Sequence, residues 1–158
     1  MNNYEFDINT KSVTDMFNDF DKKLRKKTLV NVLKKSANIL RKQTISNLKS
    51  VVKNIDRKDK YNNTLRKGIK VSVAKNSESV KVHLLGNYKL KWFELGTVPR
   101  YAKNFKRKKM QKERYTGSIK RYNFFANAKQ QTETQVFNSI EENLTAIIKQ
   151  INEKYKNK

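Results

Sequence analysis

The chain has 158 residues and a formal net charge of +23, from 37 Lys and Arg against 14 Asp and Glu. The length suits one domain with a core of its own, and self-repulsion at that charge asks for an acidic neighbour, whether nucleic acid, protein or an anionic membrane, unless a Lys- and Asn-rich proteome accounts for the excess. Cysteine is absent, which excludes disulfides, thiolate metal sites and cysteine nucleophiles, and the low counts of Gly (4) and Pro (1) argue against a low-complexity tail.

Residues 1–11 read as an extended arm, with Tyr4, Phe6 and Ile8 alternating against polar neighbours. Such an arm can add a strand to a sheet, in its own subunit or in a neighbour. Met1 to Asp7 is polar and acidic with no apolar signal core behind it, and no apolar run approaches the ~20 residues of a membrane span. A helix start is predicted at Ser12, with Asp15 three residues on and Val13, Met16, Phe17, Phe20 and Leu24 following at helical steps. A basic break at Lys26-Lys27-Thr28 separates this short helix from a long one over about 28–54, roughly 40 Å at ~1.5 Å per residue. Its apolar stripe is Val30, Leu33, Ala37, Leu40, Thr44, Leu48 and Val52, and its opposite face carries Lys34, Lys35, Arg41, Lys42, Lys49 and Lys53.

Asp56 to Asn63 is a charged connection, after which the period changes to two. Ile69, Val71 and Val73, a turn at Asn76-Ser77-Glu78, then Val80, Val82 and Leu84 predict a hairpin. Gly86-Asn87 makes a second turn, and Tyr88, Leu90 and Trp92 predict a third strand that ends at Gly96-Thr97-Val98-Pro99. A basic loop follows over about 98–117, then a turn at Thr116-Gly117-Ser118 and a short returning strand at Ile119 to Tyr122. Phe125, Ala128, Thr132, Val136, Ile140, Leu144, Ile147, Ile151 and Tyr155 predict one long final helix, with Phe137 and Ile148 widening its stripe. The class is α+β: a three- or four-stranded, mainly antiparallel sheet packed by two long helices, forming one domain over 12–158 behind the arm.

Three segments carry a family resemblance. They are the basic amphipathic run Leu33 to Leu40, the run Thr64-Leu65-Arg66-Lys67-Gly68-Ile69 that opens the hairpin, and Trp92-Phe93-Glu94-Leu95-Gly96-Thr97. With Tyr122 to Ala128 ahead of the last helix, the chain resembles the tail-completion and head–tail joining proteins typified by the gene-10 product of the Hong Kong 97 phage. It departs from that pattern in its long basic loop, in Asn63 where a proline usually stands, and in a Tyr122–Ala128 segment without proline. The resemblance implies a structural virion protein of a tailed bacteriophage, without enzymatic activity or cofactor, assembled in the host cytoplasm. It implies a homo-oligomeric ring of about twelve or six copies, by analogy with portal and tail symmetry, built through head-to-tail contacts. The ring's partners would be portal or adaptor and tail proteins, with non-specific contact to DNA in the channel and none to membrane.

The same segments supply the candidate site residues. Trp92, Phe93, Glu94, Gly96, Thr97, Phe124 and Phe125 are candidates for the subunit interface. Glu94 reads either as a buried acid paired with a basic neighbour across subunits or as an outward strand residue beside the turn. Gly96 offers a positive φ at the strand exit, and Thr97 a hydroxyl that bonds back into the turn. Arg100, Lys103, Lys106, Arg107, Lys108, Lys109, Lys112 and Arg114, interleaved with Tyr101, Phe105 and Tyr115, are candidates for contact with channel DNA or an acidic ring. His83, the sole histidine, lacks an orienting acid for a triad or companions for a metal site. A carboxylate-bound Mg²⁺ would have to draw Asp56, Asp59 and Glu94 together. The alternative function is a stand-alone basic protein that binds nucleic acid through its helices.

Overall fold

The structure, a computed structural model, describes residues 5–9, 22–75, 79–105 and 108–156. In chain order the elements are β1 (Glu5–Asn9), α1 (Lys22–Val51), the single turn α2 (Leu65–Gly68), β2 (Lys70–Val73), β3 (Ser79–His83), α3 (Lys89–Leu95), β4 (Arg100–Phe105), β5 (Lys108–Gly117) and α4 (Phe124–Lys156). The class is α+β, with small antiparallel sheets.

The two long helices form the main interface of the fold. Along α1, Leu29, Val32, Leu33, Ser36, Ala37, Leu40, Thr44 and Leu48 are buried at steps of three and four. Along α4 the buried set is Phe124, Phe125, Ala128, Thr132, Val136, Ile140 and Leu144. The polar members are satisfied in place. Thr44 and Thr132 donate to the carbonyls of Leu40 and Ala128, each at 2.8 Å, and Ser36 meets Ser139 across the interface at 3.1 Å. Small residues there let the helices approach closely, while each buried Leu, Val or Phe adds about 1.5–3 kcal/mol.

The helical stripes expected from spacing are largely those buried, with two differences. Helix α1 runs unbroken through Lys26-Lys27-Thr28, because Lys is a good helix former whose long stem reaches solvent. Phe137, expected to widen the α4 stripe, is 52% exposed, lying one step beyond the buried Val136. The helix expected from Ser12 lies mostly outside the described residues.

Strands β2 and β3 pair antiparallel from Lys70↔His83 to Val73↔Val80, as the alternation predicts; the turn at 76–78 lies outside the described residues. The third strand of this sheet is the arm. β1 pairs antiparallel with β3 from Glu5↔His83 to Asn9↔Ser79, giving the order β1-β3-β2. The central strand buries Val80 and Val82, and the sheet lies chiefly on α1. Arg41 of α1 reaches across to donate from Nε to the Ile69 carbonyl at 3.0 Å.

The predicted strand at Tyr88, Leu90 and Trp92 is instead the helix α3. Leu90 and Glu94 are buried and Phe93 packs on the core, whereas Tyr88 and Trp92 are 61% and 39% exposed, so the inward spacing is three and four rather than two. Close packing explains the choice. Gly68 sits so near this segment that an added Cβ would stand 2.6 Å from the Asn87 Cβ and 2.7 Å from Leu90 Cδ1. Asn87 then opens the turn, its Oδ1 accepting from the Lys89 N–H at 3.1 Å. Thr64 caps α2 in the same way, its Oγ1 accepting from the Lys67 N–H at 3.1 Å.

The segment expected as a basic loop folds as the hairpin β4–β5, and Ile119 to Tyr122, expected as a strand, is irregular chain. Among the described residues no helix is long and apolar enough to cross a membrane.

Candidate assembly surfaces: the helix junction and the basic hairpin

The Trp92–Thr97 segment is a lock between α3 and α4. Glu94 is 3% exposed, and its carboxylate accepts from the Phe125 N–H at 2.8 Å and the Ala126 N–H at 3.1 Å. These are two of the four amide donors that the start of α4 leaves without helical partners. An N-capping side chain normally comes from the residue just before the helix; here it comes from 31 positions upstream. The acid also faces the positive end of the α4 dipole. Glu94 is therefore not outward on a strand, and among the described residues its carboxylate is taken up by backbone amides inside the subunit.

The neighbouring bonds complete the lock. The Tyr122 N–H donates to the Phe93 carbonyl at 3.0 Å and the Asn123 N–H to the Glu94 carbonyl at 3.2 Å. Thr97 and Ile119 exchange two bonds, the Thr97 N–H to the Ile119 carbonyl and the Ile119 N–H to Thr97 Oγ1, both at 2.9 Å. Gly96 ends α3 at φ 74° and ψ −179°, a region essentially reserved for glycine. It also lies against the returning chain, where a Cβ would sit 2.9 Å from both the Arg121 nitrogen and the Ile119 oxygen. Phe124 and Phe125 are 1% and 5% exposed, within the core. Of the interface candidates only Trp92 shows a large face, edge-on to Tyr88 with centroids 5.2 Å apart at 85°.

The hairpin begins beyond this lock. Its register runs from Arg100↔Gly117 and Tyr101↔Tyr115 to Phe105↔Lys108, with irregularities after Arg100 and Ala102. Arg100, Tyr101 and Lys103 are exposed on β4, as are Lys112, Glu113, Arg114, Tyr115 and Thr116 on β5. Tyr101 and Tyr115 pair across the strands at 5.6 Å, and Lys103 bridges Glu113 at 3.3 Å. Neither strand packs appreciably on another element. Lys106 and Arg107 lie outside the described residues, and the side chains of Lys108 and Lys109 are not described.

The three carboxylates that a cation site would need are apart in role. Asp56 forms a bidentate pair with Arg66 (2.6 and 2.7 Å), Asp59 caps its own turn, and Glu94 caps α4. Among the described residues no three His, Asp or Glu come together in a way that suits a metal. His83 is half-buried at the end of the central strand β3, and its Nδ1 accepts from the Leu85 N–H at 3.3 Å. Hydrogen bonds from the Asn63 amide, with help from Tyr61 and the nearby Lys89 and Lys60, hold the Asp59 carboxyl below its ordinary value against some desolvation. The turn gains from that charge at neutral pH and loses the gain as pH falls through the lowered pKa.

Sequence reading passed over one surface. Arg57, Lys58, Lys60, Tyr61, Tyr88 and Lys89 line an open cleft between the 54–65 connection and the start of α3. The run Arg57-Lys58-Asp59-Lys60-Tyr61 was visible as a charged connection, but its meeting with Tyr88 and Lys89 is a tertiary fact. Compared with protein-family models, curated proteins and solved structures, the chain finds no match.

Proposed function

We propose that this chain is a non-enzymatic structural subunit of a tailed bacteriophage, forming a ring in the neck or tail-completion region between the portal side of the capsid and the tail. The observation that carries this reading is the hairpin β4–β5, which stands away from the body with its described side chains almost all exposed. An isolated two-stranded hairpin is marginally stable in water, so this one gains its stability from a neighbour. Head-to-tail contact, the hairpin of one subunit on the body of the next, repeats into a closed ring. On this reading the edges of the three-stranded sheet β1-β3-β2 are also covered by adjacent subunits. The resemblance carried by Trp92 to Thr97 supports the same assignment, as does a net charge of +23 suited to a channel for DNA or an acidic adjoining ring.

The lock supplies a clean test. Because Thr97 and Ile119 already hold the hairpin's ends together, residues 98–118 can be replaced by a short glycine linker without disturbing the body. Native mass spectrometry and electron microscopy should find a closed ring for the intact chain, and a monomer with unchanged helical circular dichroism after excision. A monomeric intact chain at micromolar concentration would sink the reading.

The hairpin's charge should act collectively. Changing Arg100, Lys103, Lys112 and Arg114 together to Gln should weaken assembly or DNA retention, while single changes, each about 0–1 kcal/mol, stay nearly silent. The deficit should shrink as salt rises and the Debye length falls from ~10 Å at 0.1 M to ~3 Å at 1 M.

A further inference from the structure

We infer that the cleft between the 54–65 connection and α3 is a binding site for a single-stranded nucleic acid segment. The inference does not rest on ring formation, and the site is separate from the hairpin. The cleft is open, about 470 Å³, and carries four cations, Arg57, Lys58, Lys60 and Lys89, against one carboxylate, Asp59. None of the four cations forms a salt bridge among the described residues.

The cleft also presents aromatic faces. Tyr61 is 72% exposed and Tyr88 is 61% exposed. Each has an ammonium beside it: Lys60 Nζ stands 4.7 Å from the Tyr61 centroid and Lys89 Nζ 6.0 Å from that of Tyr88. A ring for a base to stack on, next to a cation for its phosphate, is the pairing that single-strand binding uses. Duplex DNA keeps its bases stacked inside and offers no free face to these rings. An acidic polypeptide would use the cations and leave both tyrosines idle.

The cleft is built before any ligand arrives. Asp59 Oδ1 accepts from the Tyr61 and Asn63 N–H groups, each at 2.9 Å, fixing the backbone that carries Tyr61. Asn63 Nδ2 donates to the Gly86 carbonyl at 2.8 Å, which ties that loop to the segment bearing Tyr88. The two rings are thus held by different segments cross-linked at their base, which lowers the ordering cost of binding. The chain's single Trp, Trp92, touches Tyr88 edge-on and reports on occupancy of the cleft.

The test uses the full chain with fluorescein-labelled oligothymidylate and oligouridylate of about 15 nucleotides, near the upper site size of single-strand binding folds. A duplex of equal length and polyglutamate serve as comparisons, and the readouts are anisotropy and Trp92 emission. Binding should be saturable, change Trp92 emission and favour either single strand over the duplex. Tyr61→Ala and Tyr88→Ala, which leave the net charge untouched, should each weaken it about 10-fold, and Tyr61→Phe should restore it. Lys60→Gln with Lys89→Gln should lower the slope of log K against log salt by about 1–2. Tyrosine variants that bind like wild type would reduce the interaction to bulk charge and overturn the inference. So would a loss confined to Tyr101→Ala with Tyr115→Ala, which would move the site to the hairpin. Polyglutamate bound as tightly as the oligonucleotides, with no effect of the tyrosine variants, would equally overturn it in favour of an acidic protein partner.

Discussion

Gly96→Val should destabilise the chain by about 3–5 kcal/mol, the sum of a backbone forced into a glycine-only region and a side chain driven into packed backbone. At φ 74° and ψ −179° the residue cannot carry a branched Cβ without strain. The atoms that the new carbon meets, the Arg121 nitrogen and Ile119 oxygen at 2.9 Å, belong to main chain held by the Thr97–Ile119 bonds and cannot swing aside as a flexible side chain would. Thr97→Ser keeps the oxygen that accepts from the Ile119 N–H and loses only a methyl group, so its cost should stay near 1 kcal/mol or less. Urea unfolding of the two variants side by side measures the difference. With a whole domain worth about 5–15 kcal/mol, Gly96→Val should approach the limit of folding. Equal midpoints would mean that Gly96 occupies ordinary backbone.

Glu94→Ala should cost about 2–4 kcal/mol, because it removes a capping carboxylate and leaves two amides at the start of α4 without an acceptor. One of them, on Phe125, sits at a residue only 5% exposed, where water cannot easily replace the lost bond. Glu94→Gln keeps one oxygen and should lose about half as much. The loss should be the same in the intact chain and in the chain with residues 98–118 excised, since both partners lie in one subunit. A loss seen only in the assembled protein would restore the inter-subunit salt bridge that sequence alone also allowed.

The two predictions share a cause. The Glu, Gly and Thr of the Trp92–Thr97 run all act on the segment from Ile119 to Ala126. The hairpin is what this lock allows. Once the chain on either side is fastened, the twenty-odd residues between can project as an arm without loosening α4.

Sequence by itself determined the parts whose physics is local. Apolar residues at steps of three and four from Leu29 to Leu48 and from Phe125 to Leu144 can be buried together only on a helix, and both long helices follow. Alternating β-branched residues around a polar turn likewise made β2 and β3. Tertiary structure decided the rest. Tyr88, Leu90 and Trp92 alternate as a strand would, but Leu90, Phe93 and Glu94 also stand at helical steps, and a seven-residue stretch cannot choose by period alone. Leu90 against Gly68 and Glu94 beneath α4 made the choice. The partner of Glu94 was illegible because it is not a charged side chain but two backbone amides 31 and 32 residues away, and amides are present at nearly every position. The cleft was hidden for the same kind of reason: its two rings lie 27 positions apart, on segments that tertiary bonds such as Asn63 to Gly86 bring to one cleft.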